Sequence, residues 1–178
     1  MLSINVDGIR IPLPNTEKEM LRVANLWKRN AQAKLRRAKV NASGALKSSM
    51  TPKVEVDGDS IAVDITPDVD YWEFVDLGVR GSVSSPFPRQ SESPFKYKSK
   101  MPPRKPLLDW IKVKPVTPRD KDGKFMKRET FAFLIQRAIF RRGIKPTFFI
   151  SDTGDRIEAK YAQSIADALA EDIDNFLT

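Results

Sequence analysis

Apolar and polar residues alternate over "SINVDGIRI" (3–11), with Asp7-Gly8 at the centre. That dipeptide favours a two-residue hairpin turn, so a short N-terminal hairpin is expected. The period then changes. From Thr16 to about Val40 there is no Gly or Pro, and Met20, Val23, Ala24, Trp27, Ala31, Leu35 and Ala38 recur at three- and four-residue spacing. This is the apolar stripe of a long helix, with Thr16 or Asn15 as the expected N-cap and Glu17 and Glu19 in the first turn. "KVEVD" and "SIAVDIT" return to period two around the "DGD" of 57–59, which is the strongest hairpin pattern in the chain. Next comes "DYWEFVDLG" (70–78), a short helix with Asp68 or Asp70 as cap and Gly78 in the left-handed position after its end. Tyr71, Phe74, Val75 and Gly78 are expected to pack and cap it, while Trp72 falls on another face.

Residues 79 to 103 follow no period, and Pro86, Pro88, Pro94, Pro102 and Pro103 interrupt much of the segment. A loop of this length in a compact domain is functional or is ordered by a partner, so 79–103 is expected to be an extended docking loop. "PLLDWIKVK" (106–114) is a short helix that uses Trp110 as a core residue, and 115–128 is a second polar loop. "ETFAFLIQRAIFRRG" (129–143) is a helix ended by Gly143, with Arg141 and Arg142 in its last turn. The last helix runs from near Asp152 to Phe176 along Ile157, Tyr161, Ile165, Ala168, Leu169, Ile173 and Phe176. Together these elements make one α+β domain over 1–178, in which a small antiparallel sheet is packed by long N-terminal and C-terminal helices.

Composition narrows the chemistry. The 178 residues are 40% hydrophobic and 30% charged, enough for one folded core. There is no cysteine, hence no disulfide or thiolate metal site, and no histidine, the commonest general base and metal ligand. The opening residues lack a basic start followed by a long apolar run, so no signal peptide is expected, and no apolar run is of membrane-spanning length. Catalysis would have to rely on carboxylates, Lys, Ser, Thr or Tyr. The acidic stretch 57–70 lacks the ligand spacing of a calcium loop, and no "GXXXXGK" phosphate loop occurs. "IEAK" (157–160) has a nuclease-like Glu-x-Lys spacing but lies in a helical pattern, and Ser43, Ser48 and Ser49 near Lys47 have no partner that spacing can supply. No enzyme and no cofactor are expected.

Charge is the stronger signal. The formal net charge is +8, which favours nucleic acid or an acidic protein surface as partner. The first long helix is basic along one face, with Lys28, Arg29, Arg36 and Arg37 among its cations, whereas the last helix is acidic. Such helices can pair within one chain or between copies. Cations and aromatics also interleave from Arg89 to Arg128, a mixture that can follow a phosphate backbone and stack on bases. Candidate DNA contacts are Lys28, Arg29, Arg36, Arg37, Lys98 and Lys100. Candidate subunit or partner contacts are Trp72 and, in the Pro-rich loop, Phe87, Arg89, Phe95 and Tyr97.

The order of these motifs resembles a known family. A long helix leads to Ser43-Gly44, Leu46 and Ser49, then a hairpin, then Tyr71, Phe74, Val75 and Gly78. After a variable loop come "PLLDWIKVK", "FAFLIQRAIFRRGIKPTFF" and a closing helix. The pattern is similar to that of the neck and tail-completion proteins of long-tailed phages, of the lambda minor tail protein Z type, over most of the chain. Two departures are Trp72, where that family favours alanine, and the order Asp76-Leu77-Gly78. The resemblance implies a virion structural protein, made in the bacterial host cytoplasm, that forms a homo-oligomeric ring at the head–tail junction. Its implied neighbours are connector, stopper, tail-terminator or tail-tube proteins, with genomic DNA in the lumen and no membrane. The alternative from the charge alone is a basic, non-specific DNA-binding protein.

Overall fold

A computed structural model describes residues 2–6, 8–39, 44–57, 60–113 and 117–178. Parts of several expected features lie outside these residues: Asp7 of the first turn, the 58–59 turn, Ser43 and residues 114–116. The fold is mixed helix and strand, 54% helical, with small antiparallel two-stranded sheets and long helices at either end of the sequence. The chain forms two compact units. One holds the residues up to Lys39, Ala45–Val69 and Phe149–Thr178, and the other is built on Asp70–Phe148.

The first unit contains strands β1 (Ser3–Val6) and β2 (Ile9–Pro12), helices α1 (Pro14–Ala38) and α2 (Ala45–Ser48), and strands β3 (Lys53–Asp57) and β4 (Ser60–Asp64). Helix α6 (Ser151–Leu177) closes it. Both expected hairpins form, with Ile4 opposite Ile11 and Val54 opposite Val63. Helix α1 starts earlier than the capping pattern implies. Pro14 occupies the first turn, where its fixed φ suits the helix and its missing N–H costs nothing. Neither Asn15 nor Thr16 is the N-cap. Instead the Asn15 and Thr16 backbone N–H groups donate to the Asp172 carboxylate at 3.0 and 2.8 Å, and the Thr16 hydroxyl donates to it at 2.8 Å. A side chain from α6 thus satisfies the start of α1, and Asp172 is only 2% exposed.

From that point α1 and α6 run antiparallel. The Arg22 guanidinium sits 5.1 Å from the Tyr161 ring centroid, and the Trp27 indole donates to the Thr153 hydroxyl at 3.0 Å. Lys34 pairs with Asp152 at 2.7 Å. The oppositely charged helices are therefore neighbours within the chain. Gly154 lies inside α6, where glycine ordinarily weakens a helix. A Cβ there would stand 2.9 Å from Trp27 Cζ2, so the residue makes room for the indole. Met20, Val23, Ala24, Ala31 and Leu35 of the expected stripe are buried together with Leu13, Met50, Ile65 and Phe149.

The second unit holds α3 (Trp72–Asp76), β5 (Val79–Arg80), one 3-10 turn (Gln90–Glu92), α4 (Arg104–Val113), α5 (Arg128–Arg142) and β6 (Gly143–Ile144). Tyr71, with no side-chain cap, precedes α3, so neither Asp68 nor Asp70 acts as the expected N-cap. The helix is only five residues long, and its final carbonyls are met from elsewhere. Thr147 N–H donates to Val75 and Asp76, and Phe148 N–H donates to Asp76 at 2.8 Å. Gly78 does take the left-handed conformation, at φ +70°. Trp110 differs from expectation: α4 turns Ile111 inward and leaves Trp110 37% exposed.

The segment after β5 is ordered by α5. That helix leaves four carbonyls without helical partners, and each finds a donor. Gly143 N–H reaches Ile139, Ser82 N–H reaches Phe140, and Val83 and Ser84 N–H reach Arg141. Gln90, fully buried, donates from Nε2 to the carbonyls of Arg142 at 2.9 Å and Val79 at 2.7 Å, with Ile144 at 3.3 Å. Its Oε1 accepts Phe87 N–H at 3.1 Å. Gly143, at φ +80°, is required because any Cβ would run into the Val79 carbonyl and the Gln90 amide.

Two substitutions test these anchors. Asp172→Ala leaves three donors, two of them buried, without an acceptor and should destabilise the first unit by about 2–3 kcal/mol in urea unfolding, whereas Thr16→Val should cost about 1 kcal/mol. Burial pushes the Asp172 carboxyl up, but the combined donors of Thr16 and Asn15 outweigh it and hold the group below the ordinary aspartate value. Its contribution is therefore present above the ordinary value and lost as pH falls through the depressed one; Asp172→Ala should flatten this acid limb. Gln90→Glu turns a donor into a carboxylate facing three carbonyls. It should destabilise the second unit by at least about 2 kcal/mol and more than Gln90→Leu does, read by hydrogen exchange across β5 and β6.

Candidate functional site

The second unit carries an open groove of about 1030 Å³. Its walls come from several elements. Tyr71 stands just before helix α3, which supplies Phe74 and Val75; β5 and β6 supply Val79, Arg80 and Ile144, α4 supplies Pro106 and Leu107, α5 supplies Ile139, and the segment 94–103 closes the remaining side. That segment is positioned by the backbone: Arg80 N–H donates to the Phe95 carbonyl at 2.9 Å and Tyr97 N–H to the Arg80 carbonyl at 3.0 Å. "FKYK" (95–98) therefore runs beside β5 as an extended strip. Phe95 and Tyr97 are half-buried, whereas Lys96 and Lys98 face solvent. Phe95 meets Phe74 edge-on with ring centroids 4.6 Å apart, and Tyr97 tilts against Phe140 at 6.1 Å. Further along, the Gln136 amide donates to the Pro102 carbonyl at 2.6 Å, tying the strip to α5.

The groove is apolar inside and positive at its margin. Lys96, Lys98 and Lys100 are exposed along it, and no carboxylate is among its described lining residues. Arg80 also lines it, and its buried Nε has no hydrogen-bond partner among the described residues. A guanidinium N–H in this position calls for an acceptor. Burial pushes the Tyr97 phenol above its ordinary value. Among the described residues no group of three or more acidic side chains converges as a metal site would.

The sequence candidates distribute unevenly. Phe95, Tyr97, Lys98 and Lys100 all line the groove. Phe87 and Arg89 do not. Phe87 anchors the Gln90 side chain, and Arg89 lies 3.8 Å over the Phe148 ring and pairs with Glu92 at 3.2 Å. Trp72 is half-buried and outside the groove, whereas Tyr71 and Phe74, expected to pack, are 44% and 40% exposed at its wall. The five-residue helix is too short to bury both faces, so the aromatics on its groove side stay open. Arg29, Arg36 and Arg37 are exposed on α1 in the first unit, with Lys28 half-buried. The groove was missed in the sequence because its wall is a strip read as irregular loop, yet the alternation in "FKYK" was its signal. No family model, curated protein or solved structure matches the chain.

The Tyr97 environment has a pH consequence. Its raised phenol pKa contributes stability that is full below the ordinary tyrosine value and is lost progressively as pH rises through the raised one. Tyr97→Phe should remove that part of the alkaline loss, seen as a flatter dependence of the unfolding midpoint on pH above about 10.

Proposed function

We propose that the chain is a virion structural protein of the phage neck, a subunit of a ring at the head–tail junction that links the portal side to the tail and lets DNA pass. The observation that carries this reading is the groove: an open, apolar, lysine-margined surface whose described lining holds no carboxylate. It is built in part from the Pro-rich stretch that the sequence marks for docking, and the motif order resembling tail-completion proteins supplies the biological setting. Contacts of this kind assemble heterologous closed rings when the rotation between copies closes. The excess of positive charge suits a DNA-filled lumen or acidic neighbouring proteins.

A second reading, a basic non-specific DNA-binding protein, draws support from the exposed Arg29, Arg36 and Arg37 of α1. Native mass measurement over a range of concentrations, alone and with portal or tail proteins, separates the two. The neck reading expects a discrete high-order ring, or co-assembly with those proteins. A persistent monomer that binds duplex DNA with an affinity falling steeply with salt would favour the second reading instead.

A further inference from the structure

The strip 95–97 flanks the β5–β6 pair, and only its inner edge is used. The Phe95 carbonyl and the Tyr97 N–H both bond to the Arg80 backbone, in parallel register with Lys96 opposite Arg80. In an extended chain the residue between two such groups turns its own N–H and carbonyl the other way. Lys96 therefore presents both to the outer edge, and neither has a hydrogen-bond partner among the described residues. Side chains alternate as well. Phe95 and Tyr97 are half-buried on one face, Lys96 and Lys98 are exposed on the other, and all four line the groove. An open strand edge thus adjoins an apolar trough with a cationic margin. The lysines repel the same strip of a second copy, which disfavours edge-to-edge self-pairing, and they attract an acidic strand.

We propose that this edge takes up an extended segment of a partner protein in which apolar and acidic residues alternate. The incoming strand pairs with the Lys96 N–H and carbonyl. One set of its side chains then falls on the Phe95 and Tyr97 face and enters the apolar groove, and the other set falls on the opposite face and brings carboxylates to Lys96 and Lys98. In strand addition the main chain supplies affinity, and pockets for alternate side chains supply specificity. A docked helix would leave the edge unsatisfied, because its own backbone groups are already paired. The proposal deepens the neck reading by giving the chemistry of the segment that a neighbouring protein offers, and it rests on that reading for the neighbour's place in the particle.

The probe is a short fluorescein-labelled peptide alternating Asp and Val, titrated against the full chain by fluorescence anisotropy. Saturable binding is expected. Lys96→Pro removes an N–H that the fold itself does not use, at an edge position where proline is tolerated. It should weaken binding about fivefold more than Lys96→Gln does, with the amides of β5 and β6 as protected from exchange as in the parent chain. The same peptide N-methylated throughout, which keeps its side chains and loses its backbone donors, should also bind at least about fivefold more weakly. Lys98→Glu should cost about tenfold, and a peptide alternating Lys and Val should prefer that variant to the parent chain. Absence of saturable binding would overturn the proposal, as would binding that neither Lys96→Pro nor N-methylation changes. Displacement of the peptide by a single-stranded oligonucleotide of equal charge at lower concentration would also overturn it, assigning the lysines to phosphate. A ring in native mass without peptide binding would sink the strand and leave the neck reading standing. Peptide binding with the expected variant pattern but no ring or co-assembly would support the strand and count against the neck reading.

Discussion

One carboxylate holds the first unit in register. Asp172 accepts from two backbone N–H groups and one hydroxyl at the start of α1, from a position 156 residues further along the chain. It fixes the depth at which α6 slides along α1, and the other contacts follow from that depth: Arg22 against Tyr161, Trp27 on Gly154, Lys34 with Asp152. Because the anion sits at the positive end of α1, the interaction combines hydrogen bonding with the helix dipole. A shift of α6 by one turn would break all of these contacts together.

The second unit depends on an analogous device with the signs reversed. There the carbonyl end of α5 needs donors, and the Gln90 amide and the backbone of 82–84 supply them. This ties down the beginning of the Pro-rich segment and lets its continuation, 95–97, lie along β5 as a groove wall. The same sequence thus serves as a cap in its first part and as a surface in its second. Neither unit uses up its charge internally. Among the cations of α1 and the acids of α6, Arg29, Arg36, Arg37, Glu171 and Asp174 all remain exposed.

Period and turn chemistry made much of the fold legible. The hairpins at 3–12 and 53–64, the α1 stripe, the glycine end of α5 and the extent of α6 follow local rules, and the structure places them within a few residues of expectation. What escaped was non-local. The cap of α1 lies at Asp172, which in sequence is one more acid on an acidic helix. Gln90 is an unremarked polar residue in a loop until the carbonyls of 79, 142 and 144 surround it. Trp110 fits an apolar pattern, but its helix is short and only Ile111 turns fully inward. The groove was half visible. Phe95, Tyr97, Lys98 and Lys100 stand out in the composition, whereas Tyr71 and Phe74 fit a packing pattern that a five-residue helix is too short to bury.

The chain leaves the first unit after Val69 and returns to it at Phe149. During synthesis, α1 is made before the second unit and its stabilising neighbour after it, so its apolar stripe and orphan N–H groups must wait for α6. The second unit is built mainly on the one stretch Asp70–Phe148 and can consolidate in the meantime. Folding order is thereby written into the topology: the middle of the sequence can consolidate first, and the two parts of the first unit join only after that middle stretch has been made. Until then the apolar stripe of α1, buried in the finished unit, stands exposed on the nascent chain.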